Sequence, residues 1–264
     1  MLSPGATGKH QRASVIFTSC QAPALMLALA VALRLGLPSN RHHTSLHYMG
    51  LLRSTVALLW DEPVLRLRSL YGALGFAAFS VLWTSITFLL SGPPYHYSIG
   101  TVGLFGLVGA AGAIAASAAG RITDRGGSRW ITMVTVLLLL VSRLPLVFGL
   151  HSLTALLVGI ILLDLAVQGL HITNQSEIYR LKPEARSRLN SAYMTLCFVG
   201  GTLGSALSTI AYANYGWIGA CTLGAIIGIV ILVVWLVVSI RPKLYSVAAK
   251  INKLHRRHDS RLGI

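Results

Sequence analysis

Gly120-Arg121-Ile122-Thr123-Asp124-Arg125-Gly126-Gly127-Ser128-Arg129-Trp130 is a short basic hairpin set between two apolar runs, each long enough to cross a bilayer. The runs place the chain in a membrane. Working outward from the hairpin, a hydrocarbon core about 30 Å thick asks for roughly 20 apolar residues at helical rise. Six segments meet that length, approximately Leu70 to Leu90, Ser98 to Gly120, Trp130 to Leu150, Leu153 to Gln175, Leu189 to Tyr212 and Trp217 to Ile240. Backbone inside lipid must satisfy its own hydrogen bonds, and these runs are too long and too little alternating for barrel strands, so all six are read as helices.

Composition agrees with an all-α polytopic membrane protein. Hydrophobic residues make up 54% of the 264 and charged residues 11%, with a mean hydropathy of +0.69. The net charge of +15 would fit nucleic-acid binding only if the basic residues shared a soluble face. They fall instead in short clusters between spans, which excludes nucleic acid as the partner and makes the lipid bilayer the expected one. Cys20, Cys197 and Cys221 form no framework for disulfides, and the last two lie inside apolar runs.

The connections alternate in charge. Ser91 to Tyr97, His151 to Ser152 and Ala213 to Gly216 carry no Lys, Arg, Asp or Glu, whereas the other connections hold every Lys and Arg except Lys9, Arg12, Arg34 and Arg143. By the positive-inside rule the basic side is cytoplasmic, with both ends of the six-helix block there. The expected organisation is an atypical N-terminal segment over 1–40, a basic cytoplasmic loop over 41–69, the transmembrane domain over 70–240 and a basic tail over 241–264 that lies against anionic lipid. Ala13 to Leu37 is apolar but contains Pro23 and Arg34. It is read as a partial or degenerate helix rather than a cleaved signal, because a signal would deliver Arg41, Arg53, Arg66 and Arg68 to the outer side.

Polar residues inside the spans mark where chemistry is expected. Asp164, Gln168, His171 and Gln175 recur at i, i+4, i+7 and i+11, one face of the fourth span. A carboxylate near mid-membrane costs at least about 2.5 kcal/mol on insertion scales, so this face looks into the bundle or a wet cavity. Ser80, Thr84, Thr87 and Ser91 repeat the device in the first span, beside Trp83. Two polar faces can line a path, or they can form interhelical hydrogen bonds. Arg143 either pairs with Asp164 or snorkels to the outer headgroups with help from a kink at Pro145. Gly200, Gly201, Gly204 and Ser205 in the fifth span, and Gly224 and Gly228 in the sixth, are expected to be packing faces.

Six helices with cytoplasmic ends and a Gly-x-x-x-Asp-Arg-x-Gly-x-Arg signature between the second and third resemble the carboxy-terminal half of a major facilitator superfamily transporter. Gly120, Asp124, Arg125, Gly127 and Arg129 occupy the signature positions. The next basic link, Asn174 to Glu177 and Leu181 to Asn190, is similar to that of the bacterial drug or sugar efflux branch. The resemblance covers about Leu51 to Ile240 and implies a six-helix transporter half-bundle in the plasma membrane, the bacterial inner membrane. It also implies an antiporter that exports a small molecule by alternating access, with the proton as coupling ion. In the family this hairpin latches the two halves together, with the carboxylate as acceptor; Gly126 and Gly127 permit its turn.

Such transporters carry two halves with the substrate site between them, and 264 residues leave no room for the first. The chain is therefore expected to need a separate first-half polypeptide or a second copy of itself, or else to be a truncated, transport-inactive remnant. An integral membrane enzyme is the competing class. No zinc-binding His-Glu-x-x-His helix, nucleophile elbow or phosphate-binding loop occurs, so no catalytic residue, metal or cofactor is expected. His42, His43 and His47 read as part of a polar basic loop.

Overall fold

A computed structural model of the chain describes residues 56–98, 100–107 and 127–240. Gly120, Asp124 and Arg125 of the hairpin, the segment 1–40, most of the second span and the tail 241–264 lie outside the described residues. The chain is an all-α polytopic membrane protein, with helices α1 (Pro63–Ser91), α2 (Ser128–Val141), α3 (Arg143–Val147), α4 (Leu153–Tyr179) and α5 (Arg186–Ile240). Residues 100–107 form the helical start of the second span.

The first span begins earlier than hydropathy alone placed it. Pro63 sits at the first position of α1, where its missing N–H removes a donor that would have had no partner in the helix. Helix then runs through Arg66 and Arg68 before the apolar stretch starts. The basic loop is shorter by that much, and Arg68 becomes a helical residue that is only 1% exposed.

The third span is interrupted at Ser142, ahead of Pro145. α2 ends at Val141 and α3 starts at Arg143, with Pro145 just beyond; its ring cannot donate and crowds the carbonyl four residues earlier. A 3-10 turn over Phe148–Leu150 closes the span. The Leu146 carbonyl at this frayed end accepts a 2.7 Å hydrogen bond from the Trp217 indole, the kind of external partner that makes a broken helix tolerable in lipid. The Ser152 hydroxyl caps α4 by accepting from the Ala155 amide.

α5 holds the fifth and sixth spans. Gly216, at φ 60 and ψ −151, is the only non-helical residue within it and divides it into two arms. That backbone region is open essentially to glycine alone. Up to Tyr212, the first arm lies parallel to α1: Gly200 meets Ala73, Gly204 meets Ala77, and Ser208 meets Val81 and Ser85. Beyond Gly216, Trp217 meets Leu146, Gly224 meets Arg143, Gly228 meets Leu140, and Ser239 meets Arg129. The second arm therefore runs antiparallel to α2 and α3. α4 also returns antiparallel to them, with Gly159 against Leu146 near one end, while Asn174 and Ser128 share Arg68 at the other.

Glycine sets these approaches. A Cβ on Gly204 would stand 2.5 Å from the Ala77 carbonyl oxygen, and one on Gly200 would overlap the Ala73 carbonyl. Gly200 and Gly204 are four apart, so the backbone of α1 lies directly on a small-residue stripe. Ser85 and Ser208 bond across that seam at 2.5 Å, and Thr84 and Ser205 at 2.9 Å.

Candidate functional site

The polar face of α4 packs toward α1 and the first arm of α5. Asp164, the twelfth residue of α4 and so about 17 Å along it at helical rise, lies near the middle of that 27-residue helix. The residue is 3% exposed, and its carboxylate accepts a 3.3 Å hydrogen bond from the Trp83 indole. His171 Nδ1 lies 2.9 Å from the Tyr193 hydroxyl, and Gln175 Nε2 donates to Asn190 Oδ1 at 3.2 Å, a group that also accepts from the Tyr179 hydroxyl at 2.9 Å. Gln168 lies between them, half-buried. Three helices thus meet along one polar line.

Trp83 also ends an aromatic ladder on α1. Phe79 lies 6.0 Å from it between ring centroids, Phe76 stacks 5.5 Å from Phe79, and Phe198 of α5 meets Phe76 edge-on at 5.6 Å. Beyond Phe76 and Phe198 an open groove of about 530 Å³ runs along α5, with Thr202, Ser205 and Thr209 on its wall. Ser80 approaches Gly201 here, and Thr84 holds Ser205. Thr87 donates to the Trp83 carbonyl of its own helix. Two of the hydroxyls expected on one face therefore serve the seam with α5, and another serves its own turn.

Arg143 is not part of this constellation. It is 5% exposed, its guanidinium is seated against Gly224, and no carboxylate lies within 4.0 Å of it among the described residues. Neither expectation for it holds: it does not pair with Asp164, which faces α1, and it does not reach the surface. The sixth span encloses it, and no spacing along the third and fourth spans could have revealed that.

At the basic end the structure brings together residues that the sequence scattered. Arg68 Nη1 donates to Thr132 Oγ1 at 3.0 Å and to Asn174 Oδ1 at 3.5 Å. Its Nη2 donates to Ser128 Oγ at 3.2 Å and lies 3.6 Å from Glu177 Oε2. One buried guanidinium thus ties α1 to α2 and α4, and it does so at Ser128, inside the hairpin signature. Arg129 reaches the Ser239 carbonyl at 3.4 Å, at the end of the second arm, and Gly127 precedes α2. Lys182 and Glu62 close the same end at 2.7 Å. Arg68 had read as a loop charge that only sets orientation; the signal for more was Pro63, which starts the helix before it.

The signature and the helical fold find their counterpart in known proteins. Residues 69–257 match the family model described as Major Facilitator Superfamily. The chain is 50% identical over 214 residues to transporter YgaY of Escherichia coli strain K12, covering 81% of this chain and 54% of that protein. It is 30% identical over 194 residues to transporter SCO4007 of Streptomyces coelicolor, covering 73% of this chain and 43% of that one. It spans about half the length of the curated relatives it matches. No solved structure matches it. A family match over most of the chain, joined to a helical fold that carries the signature's last residues at its basic end, places the chain in the Major Facilitator Superfamily.

Proposed function

We propose that this chain forms one half of a secondary active transporter that exports a small molecule across the bacterial inner membrane in exchange for protons, with its basic end in the cytoplasm. The observation that carries the reading is Asp164, a buried carboxylate whose bonding partner is a single indole, that of Trp83, at the end of the aromatic ladder that leads through Phe79 to Phe76 on the groove wall. An intramembrane carboxylate with so few partners can take up and release a proton as its surroundings change. Gln168, His171 and Gln175 extend its face toward the basic end, and Ser80 and Thr84 flank the groove. The other half of the path comes from a first-half polypeptide or from a second copy of the chain, and sites of this kind lie between halves.

Gly120, Asp124, Arg125, Gly127 and Arg129 form the gate in this reading. Arg68 holds the hairpin's exit at Ser128, so movement of the hairpin pulls on α1 and α4 together. The test is transport in proteoliposomes containing the chain and a first-half polypeptide under an imposed pH gradient. Native protein is expected to respond to the gradient and Asp164→Asn to retain only gradient-independent exchange. Exchange that ignores pH in both proteins overturns proton coupling. Asp124→Ala with normal expression and unaltered transport removes the latch.

A further inference from the structure

Residues 56–61 are helical and stop at Glu62, whose amide closes on the Leu58 carbonyl at 3.0 Å and whose carbonyl accepts the Arg66 amide at 3.1 Å as α1 begins. Between this segment, α1 and the first arm of α5 lies an open groove of about 360 Å³. Leu59, Leu70, Ala73 and Leu196 give it apolar walls. Trp60, 73% exposed, and the exposed Arg66 line it as well. The Arg66 guanidinium has no hydrogen bond and no carboxylate within 4.0 Å among the described residues. Glu62, one turn before it, is held by Lys182 at 2.7 Å. The remaining nearby carboxylate, Asp61, makes no ion pair among the described residues.

Arg66 lies one turn before the apolar run that opens at Leu70, and Ala73 lies about 10 Å further along the helix than Arg66. The groove therefore starts at the level of lipid headgroups and descends into the hydrocarbon layer. Tryptophan and arginine are the side chains that settle at that level. An arginine near a helix end meets headgroups on any smooth wall, but here the wall beneath it is hollowed and apolar. A free cation beside an apolar slot complements an amphiphile with an anionic head. We propose that this groove binds an anionic glycerophospholipid, its phosphate on Arg66 and an acyl chain along Leu70, Ala73 and Leu196. The guanidinium fork suits a phosphate, which it can hold through two donors at once. A free phosphate would use the arginine alone and leave the walls unfilled, whereas a phospholipid fills both parts and is already in the membrane. Ala73 also meets Gly200 across the seam, so a lipid seated here bears on the contact between α1 and the fifth span.

The experiment is native mass spectrometry of the purified chain in detergent, titrated with phosphatidylglycerol or with phosphatidylcholine of the same acyl chains. Saturable retention of phosphatidylglycerol is expected, with phosphatidylcholine held more weakly and glycerol phosphate unable to compete. Arg66→Gln is expected to weaken phosphatidylglycerol about fivefold and to leave phosphatidylcholine unchanged. Arg66 is an exposed residue, so its replacement should leave the fold intact. Ala73→Phe, which fills the groove, is expected to weaken both lipids; should it fail to fold, Arg66→Gln decides. Equal retention of the two lipids, or phosphatidylglycerol binding that is unchanged in Arg66→Gln, overturns the proposal. Competition by glycerol phosphate also overturns it, in favour of a free-phosphate site. A dimer of the chain that retains no lipid overturns it too, because a second copy then covers the groove.

Discussion

Alanine at Gly200 is expected to loosen the seam on which the fifth span rests. The added methyl would overlap the carbonyl oxygen, carbonyl carbon and Cα of Ala73. These are backbone atoms, so no rotamer change relieves the clash. At Gly204 the same methyl would lie 2.5 Å from the Ala77 carbonyl oxygen. Restoring ordinary contact there requires α1 and α5 to part by about 1 Å, which weakens the dispersion contacts along the whole seam. Ser85 to Ser208, already at 2.5 Å, and Thr84 to Ser205 at 2.9 Å would lengthen with it. Overpacking of this kind costs about 1–3 kcal/mol, and the two interhelical bonds add about 0.6 kcal/mol each if lost. The sum predicts a drop of several degrees in melting temperature, read by size-exclusion chromatography of heated detergent extracts. Gly204→Ala added to Gly200→Ala should cost less than the two singles combined, because helices already parted admit the second methyl cheaply. Gly103→Ala is the control: a Cβ there meets nothing within 4 Å. A Gly200→Ala protein as stable as the native chain, or a Gly103→Ala protein equally weakened, would refute the seam.

Two other substitutions test the frame. Gly216→Ala forces a Cβ into the φ 60, ψ −151 region, expected to cost about 1–3 kcal/mol in melting experiments; no loss would mean that the chain does not reverse at Gly216. Arg68→Leu removes a guanidinium that serves Thr132, Asn174, Ser128 and Glu177 and should cost about 3 kcal/mol or more. A double-mutant cycle with Glu177→Gln should recover about 1 kcal/mol at most, because Glu177 is 22% exposed and 3.6 Å away; larger coupling would make the ion pair, not the hydroxyl bonds, the tie.

The spans that fall in the described residues were legible because length and apolarity are properties of single segments. Which face each span turns inward was not, since lipid and protein interior are equally apolar and leave the hydrophobic pattern without direction. Only glycines and polar residues break that symmetry. Gly200, Gly204, Gly224 and Gly228 therefore located the close approaches, while the buried Ser85 and Ser208 escaped notice because each lies off the polar repeat. Asp164, His171 and Gln175 were readable as one face, but their partners Trp83, Tyr193 and Asn190 come from other helices and only the fold supplies them. Arg143 failed for the same reason: its seat is Gly224, from a span some eighty residues later. Arg68 was hidden by hydropathy, which registers an arginine near a helix end as loop even when the helix has begun.

The central claim is that the groove between Phe76 of α1 and the first arm of α5 is part of a water-filled path. Labelling of single cysteines by a membrane-impermeant thiol reagent tests it directly, in a background where Cys20 is replaced by serine and Cys197 and Cys221 are buried. Thr202→Cys, Ser205→Cys and Thr209→Cys, on the groove wall, are expected to label in membranes. Leu203→Cys, Leu207→Cys and Ile210→Cys, exposed on the same arm but away from the groove, are expected to stay unlabelled in lipid. Equal labelling of both sets, or labelling of the leucine set alone, would contradict the account.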